Sequence, residues 1–368
     1  MNQYQKELLS LLSHSLFGRQ TSVLISNEIV QEARFQSVST LISDNDYYLL
    51  AKNIRIDFAH ASLNSVLDGI PFVTIKGFSS AYYYPEPEKR PMGDVDFYVN
   101  TDDYDKAVSA LLSNGFIPLN HTHERHESYS KGNVTFELHS EIKGIPNGKD
   151  GIKTSSKYAE ERIRKCLSNV IDTAVRIPTQ YGDIVIPDEY HHAVIMLLHV
   201  AGHMLNDGGI GLRHLCDWAV FVDKVDLERY RFSLEELGLW TFSCQLTAVC
   251  IKYLGLKSFS WVGTFEDSFL ESLIEDIMLS GNFGRRDEYR TIMSCLSNNN
   301  EYKSFGELTK KVFPIVKRYP VLLPGAVVFW GIRYLIRCIT GKRNLIHISD
   351  IEQGKKRNDL YKQFKLFE

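Results

Sequence analysis

The chain has 368 residues, 44% of them hydrophobic and 24% charged, with a formal charge of −3 at pH 7. This length and composition suit one large domain or two to three small ones with a real core, and exclude disorder as the main state. A nearly neutral molecule is no polycation, which argues against tight nonspecific nucleic-acid binding through global charge. The cysteines Cys166, Cys216, Cys244, Cys250, Cys295 and Cys338 contain no C-x-x-C pair, so zinc-ribbon and thioredoxin chemistry find no support. Thiols scattered in this way are expected in a reduced, cytoplasmic protein. The N-terminus carries Lys6 and Glu7 and no long apolar stretch, unlike a signal peptide.

Residues 1–70 read as a helical layer. Leu8, Leu9, Leu11, Leu12 and Leu16 follow the helical period, and Ile25, Ile29 and Ala33 recur at i, i+4, i+8. Asn45-Asp46 caps a third helix that Asp68-Gly69 breaks. Residues 71–150 read as a small α/β core. A β-rich run, Pro71–Ile75, leads to Lys76-Gly77 and a short helix from Ser79 to Tyr84, with Ser79 or Ser80 as its cap. Pro85, Pro87 and Pro91 stiffen the loop that follows. Asp94–Val99 alternates as a strand, a helix runs from Thr101 or Asp102 to Leu112, and Val134–His139 is a further strand. Asn120–Gly132, with His121, His123, Glu124, His126 and Glu127, reads as a polar loop or a flap beside a site. Residues 151–345 are expected to be mainly helical after a hairpin at 176–187, with helices Glu189–Leu205, Ile210–Lys224 and Leu234–Leu254. Residues 346–368 form a basic tail. The expected fold class is α+β: a mixed sheet flanked by N-terminal helices and a larger helical C-terminal region.

The longest apolar run, Val321–Ile332, contains Pro324 and Gly325 and stops at Arg333. A spanning helix needs about 20 apolar residues, so no stable membrane insertion is expected. Tyr319–Ile339 reads as a buried helix with snorkelling Arg333 and Arg337, the sharper alternative being an interfacial membrane helix. Charge is uneven: Glu301–Glu368 holds 14 Lys and Arg against 6 Asp and Glu. Such a section is a solvated face or a surface for an anionic partner.

Chemistry concentrates between Ile75 and His139. Alternation along a strand places Asp94 and Asp96 on one face and Val95, Phe97 and Val99 on the other. Two adjacent carboxylates repel, and a hard divalent cation, Mg²⁺ or Mn²⁺, relieves the conflict with oxygen ligands. On Val134–His139, Phe136 and Leu138 take the core face, which leaves Glu137 and His139 beside the acidic pair; Glu141 is a rival to Glu137. Three carboxylates from two strands suit a two-metal site for a nucleoside triphosphate, ATP among the candidates. Gly77 permits close backbone approach, and the helix near Ser79 offers N–H groups to phosphate. Lys76 and Arg90 are candidates to neutralise the triphosphate.

The ordered set resembles the nucleotidyltransferase superfamily typified by DNA polymerase β. More closely, K-G, R-P-M-G-D-V-D-F-Y-V, F-E-L-H and L-L-H…H…L-R-H-L-C-D-W resemble a bacterial family described only as uncharacterised nucleotidyltransferase. The resemblance spans about Ile75–Val222. It implies Asp94 and Asp96 as metal ligands and Glu137 as the third carboxylate, ligating the metal or helping to deprotonate an acceptor hydroxyl. It implies Gly77, Ser79 and Ser80 as the phosphate-holding turn, and leaves a cleft-lining role open for Arg213 and Asp217. Phe78 stands where the superfamily has Gly or Ser, and fifteen residues separate it from Asp94.

His199 and His203 have the i, i+4 spacing of zinc enzymes, but Val200 replaces the Glu of H-E-x-x-H; a histidine pair packing against the core or bordering the nucleotide cleft is the favoured reading. His139 reads as a core residue or one that backs the acidic pair, with contact to the ligand as the alternative. Arg213 and Asp217, at i and i+4, can pair on a helix. The expected activity is transfer of a nucleoside monophosphate to a hydroxyl acceptor with release of pyrophosphate. A small molecule, a peptide, a protein and an RNA all remain open as acceptor. The rivals are an inactive nucleotide-binding or interaction module on the same fold, a toxin-like enzyme acting on RNA or protein, and a histidine-dependent metal hydrolase.

Overall fold

The computed structural model describes residues 1, 3–18, 38–43, 46–119, 126–148, 152, 154, 156, 158–206, 209–280, 309–310, 313–340 and 348–368. They belong to two compact units, one formed by Met1–Arg285 with Lys365–Glu368, the other by Arg286–Phe364.

In the first unit, α1 (Gln3–Phe17) buries Leu8, Leu9, Leu12 and Leu16, as its period requires. Ile25, Ile29 and Ala33 lie outside the described residues. The next long helix, α2 (Tyr47–Val66), starts on Asp46, whose carboxylate accepts the Leu49 N–H at 3.2 Å and satisfies one of the open N-terminal donors.

Five strands form one sheet in the order β1-β2-β5-β4-β3: β1 (Val73–Thr74), β2 (Val95–Tyr98), β3 (Ile117–Pro118), β4 (His126–Lys131) and β5 (Val134–His139). β2 and β5 run parallel; the other pairs are antiparallel. One face is dry. Val95, Phe97, Val99, Phe136 and Leu138 pack there with Leu63 of α2 and with Leu111 of the helix α3 (Tyr104–Ser113). Truncating such a side chain to Ala costs about 3–5 kcal/mol. The segment His126–Lys131 corrects the expected loop. It is a strand because each residue pairs with β5 across a tight turn at Gly132-Asn133. A run as polar as His-Glu-Ser-Tyr-Ser-Lys has no amphipathic signature, and its strand geometry comes from the ladder. His121, His123 and Glu124 lie outside the described residues.

The expected hairpin is β6 (Val175–Thr179) with β7 (Gly182–Ile186). Helices α4 (Glu189–Asn206), α5 (Leu212–Lys224), α6 (Trp240–Leu254) and α7 (Asp267–Leu279) follow. The single helix expected over Leu234–Leu254 is two, because Gly238 adopts φ +66° and ends a short helix, Arg231–Glu236, before α6 begins. Phe367 donates its N–H to the Gly238 carbonyl at 2.8 Å, and a Cβ on Gly238 would strike the Phe367 backbone.

In the second unit, the turn Pro320–Leu322 continues into α8 (Leu323–Ile339), and α9 is Ile348–Lys362. Pro324 sits in the first turn of α8, where its missing N–H costs nothing. Gly325 and Arg333 therefore do not interrupt the helix, and Pro320–Ile339 is long and apolar enough to cross a membrane, with none of its residues buried. This corrects the expected buried helix. The expected tail is mostly the helix α9.

Candidate active site

The register of the parallel pair builds the site. Asp96 on β2 lies beside Glu137 on β5, and Tyr98 beside His139. β4 extends the two rows with Ser128 opposite Glu137 and His126 opposite His139. Asp94 precedes β2 by one residue. Oxygens of Asp94, Asp96 and Glu137 lie within 4.8 Å of one another. Glu141, the rival third carboxylate, is taken by Arg164 at 2.6 Å, two residues past the strand end.

Asp96 is buried. It receives Lys76 Nζ at 2.5 Å and His139 Nε2 at 2.8 Å. Burial opposes its ionisation, but Lys76 and His139 hold its carboxyl well below the usual range. The Asp96 charge beside it, and then burial, push the Asp94 carboxyl up to about 6. Burial works against charge on Lys76 too, and the neighbouring carboxylates, Asp96 first, raise its pKa. The cluster is thus an acidic trio partly neutralised by one lysine, a donor set of hard oxygens that fits Mg²⁺ or Mn²⁺.

Behind the trio the chain turns at Gly77, with φ +58°; a Cβ there would come within 2.8 Å of His60 Nε2. His60 donates Nδ1–H to the Ile56 carbonyl at 2.8 Å, and burial lowers its pKa to about 4. This histidine was not among the candidate residues. It is distant in sequence, and its helix face only becomes the floor of the turn on folding. The helix after Gly77 is one turn, Phe78–Ala81. Ser80 lines the cleft; Ser79 does not. The Ser79 hydroxyl instead donates inward to the Thr74 carbonyl at 2.6 Å, with the Lys76 carbonyl at 3.0 Å, so it pins the turn to β1 rather than capping a helix. Phe78 is buried with Ala61, Ile184 and Ile186, a packing role that explains a large residue at this position.

Arg90 is buried and bound to Asp217 on α5 through two parallel contacts, Nε–Oδ1 and Nη2–Oδ2, both 2.7 Å. It also donates to the Gly77 carbonyl at 3.2 Å, and Tyr84 Oη donates to Asp217 at 2.8 Å. Arg90 supplies the matching fork to Asp217, to which Arg213 adds a second favourable positive charge, and Arg213 Nη1 donates to the Pro91 carbonyl at 3.0 Å. Burial and the neighbouring Arg90 lower the Arg213 pKa to about 10.

The cleft is lined by Lys76, Gly77, Ser80, Arg90, Asp94 and Asp96 on one side and by His199, Arg213, His214 and Asp217 on the other. His203 faces Lys143, whose Nζ is 3.1 Å from its ring nitrogens. Ring nitrogens of His199, His203 and His214 also come within 4.8 Å of one another. However, His214 Nδ1 accepts the Gly211 N–H at 3.2 Å, and burial keeps the ring neutral, so its proton sits on Nε2. A ring in that tautomer offers a donor to the cleft and no lone pair to a zinc ion.

A mixed sheet that gathers three carboxylates in front of a glycine turn defines this α+β protein as a nucleotidyltransferase. The family described as uncharacterised nucleotidyltransferase matches residues 36–255, and the chain belongs to it. No curated protein and no solved structure matches.

Proposed function

We propose that the protein transfers a nucleoside monophosphate from a nucleoside triphosphate to a hydroxyl acceptor, with Mg²⁺ or Mn²⁺ held by Asp94, Asp96 and Glu137. The observation that carries this reading is the convergence of those oxygens within 4.8 Å. The bound cation would supply positive charge to the transferring phosphoryl group and the leaving pyrophosphate. Lys76, now against Asp96, is in place to pair with a phosphate oxygen once a cation neutralises that carboxylate. Gly77 and Ser80 present backbone and hydroxyl to the triphosphate. The acceptor oxygen attacks the α-phosphorus, the bond from that phosphorus to the bridging oxygen breaks, and pyrophosphate departs. Glu137, at the edge of the trio, takes the acceptor proton. His139 positions Asp96 through its 2.8 Å contact. Arg90 acts through Asp217, fixing the Gly77 turn against α5, and carries no phosphate itself.

Calorimetric titration with ATP, GTP, CTP and UTP, with and without Mg²⁺, tests the site. Binding should require the cation, and Asp94→Asn with Asp96→Asn should abolish it; turnover should fall by at least about 10²-fold, the scale of electrostatic stabilisation at a transferring group. Equal nucleotide affinity in the double variant would overturn the assignment.

A further inference from the structure

The helix Pro320–Ile339 belongs to the second unit and lies outside the family match over residues 36–255. Not one of its residues is buried. Val321 (84% exposed), Val328, Ile332, Leu335 and Ile339 (84% exposed) recur at spacings of 7, 4, 3 and 4, which keeps them on one face. Arg333 and Arg337, four residues apart, project from nearly the opposite face. An apolar stripe five side chains long in water is costly, and soluble monomers rarely keep one. Charge points to what covers it. Between Glu307 and Asp350 the sequence contains eight Lys and Arg (Lys310, Lys311, Lys317, Arg318, Arg333, Arg337, Lys342, Arg343) and no acidic residue. The basic residues therefore sit just before the helix, on its polar face and just after it. Tyr319, Trp330 and Tyr334 add amphipathic rings of the kind that settle at a headgroup boundary.

We infer that this helix is a membrane-surface anchor, lying in the interface of an anionic lipid bilayer. The apolar stripe enters the acyl boundary, and Arg333, Arg337 and the flanking basic residues meet the headgroups. An in-plane orientation follows from the arginine pair. In a spanning helix Arg333 would sit well inside the hydrocarbon, where a charge is costly, whereas in the interface it faces phosphate. Apolar burial and attraction to anionic lipid then act together, which gives stable attachment where either alone is marginal. The inference does not depend on the nucleotide reading.

The test uses the full chain in co-sedimentation with vesicles of phosphatidylcholine alone and of phosphatidylcholine with phosphatidylglycerol. At least tenfold stronger partition onto the anionic vesicles is expected, weakened by high salt. Ile332→Asp with Leu335→Asp should remove it while circular dichroism and Mg²⁺-nucleotide titration stay unchanged, since neither side chain is buried. Absence of binding, or binding that the double variant retains, would overturn the inference. So would resistance to alkaline extraction, which would mean a spanning helix, or vesicle-free dimerisation lost in the same variant, which would mean self-association.

Discussion

Single residues at this site do work that their type alone does not announce. Asp94 and Asp96 are neighbours on one strand face, but one carboxyl is pushed up to about 6 and the other held far down, because only Asp96 reaches both Lys76 and His139. Asp57, on the helix α2, is a further perturbed carboxyl, raised like Asp94. Its Oδ1 is buried with no hydrogen-bond partner among the described residues, and burial, then Glu88, raise it to about 7. A carboxyl whose folded pKa lies above its unfolded value of 3.8 gives stability that is complete below that value and is lost as pH rises through about 7. Asp57→Asn removes this titration. Urea unfolding should find the variant more stable than the parent at pH 8, and the gain should exceed that at pH 5 by roughly 2–3 kcal/mol. A pH-independent difference would place the Asp57 carboxylate in solvent.

At the scale of elements, the Arg90–Asp217 fork joins the loop before β2 to α5. It fixes where the Gly77 turn stands relative to the histidine side of the cleft. A buried pair is weak evidence of net stability, but removing one member strands the other. Arg90→Ala and Asp217→Ala should each cost about 3–5 kcal/mol in chemical denaturation, and the double variant should cost well below their sum. Additive losses would mean that the two side chains act independently. Element existence was legible where the period was strong: α1, α2, β2, β5 and α5 appear close to where the sequence places them. β4 was illegible because its stabilising contacts are backbone bonds to β5, and the break at Gly238 because a helical period runs through both flanks.

Across the whole molecule, sequence-distant segments complete one unit. The last four residues, Lys365–Glu368, belong with Met1–Arg285, and buried Phe367 closes over Gly238. Phe367→Ala should lower the thermal stability of that unit, with a loss of about 3–5 kcal/mol in urea unfolding, while Mg²⁺-dependent nucleotide binding at the cleft, which Phe367 does not line, persists below the new midpoint. The cysteines Cys166, Cys216, Cys244, Cys250 and Cys338 are free thiols, as their scatter implies; Cys295 lies outside the described residues. Charge is also a whole-molecule property, since the acidic excess lies before Glu301 and the basic excess after it.

The sequence by itself determined the α+β class, the family motifs and the Asp94–Asp96 pair. Strand alternation and the spacing of Gly77, Asp94, Asp96 and Glu137 are local rules that need no partner. Tertiary structure decided which charges are committed. Lys76 rests on Asp96, Arg90 on Asp217, and Ser79 turns inward, because those partners lie 20, 127 and 5 residues away. It also separates Glu137 from Glu141, since parallel register sets Glu137 beside Asp96 and Glu141 pairs with Arg164. A carboxylate announces its charge in the sequence, but its partner is chosen by the packing that brings distant segments together.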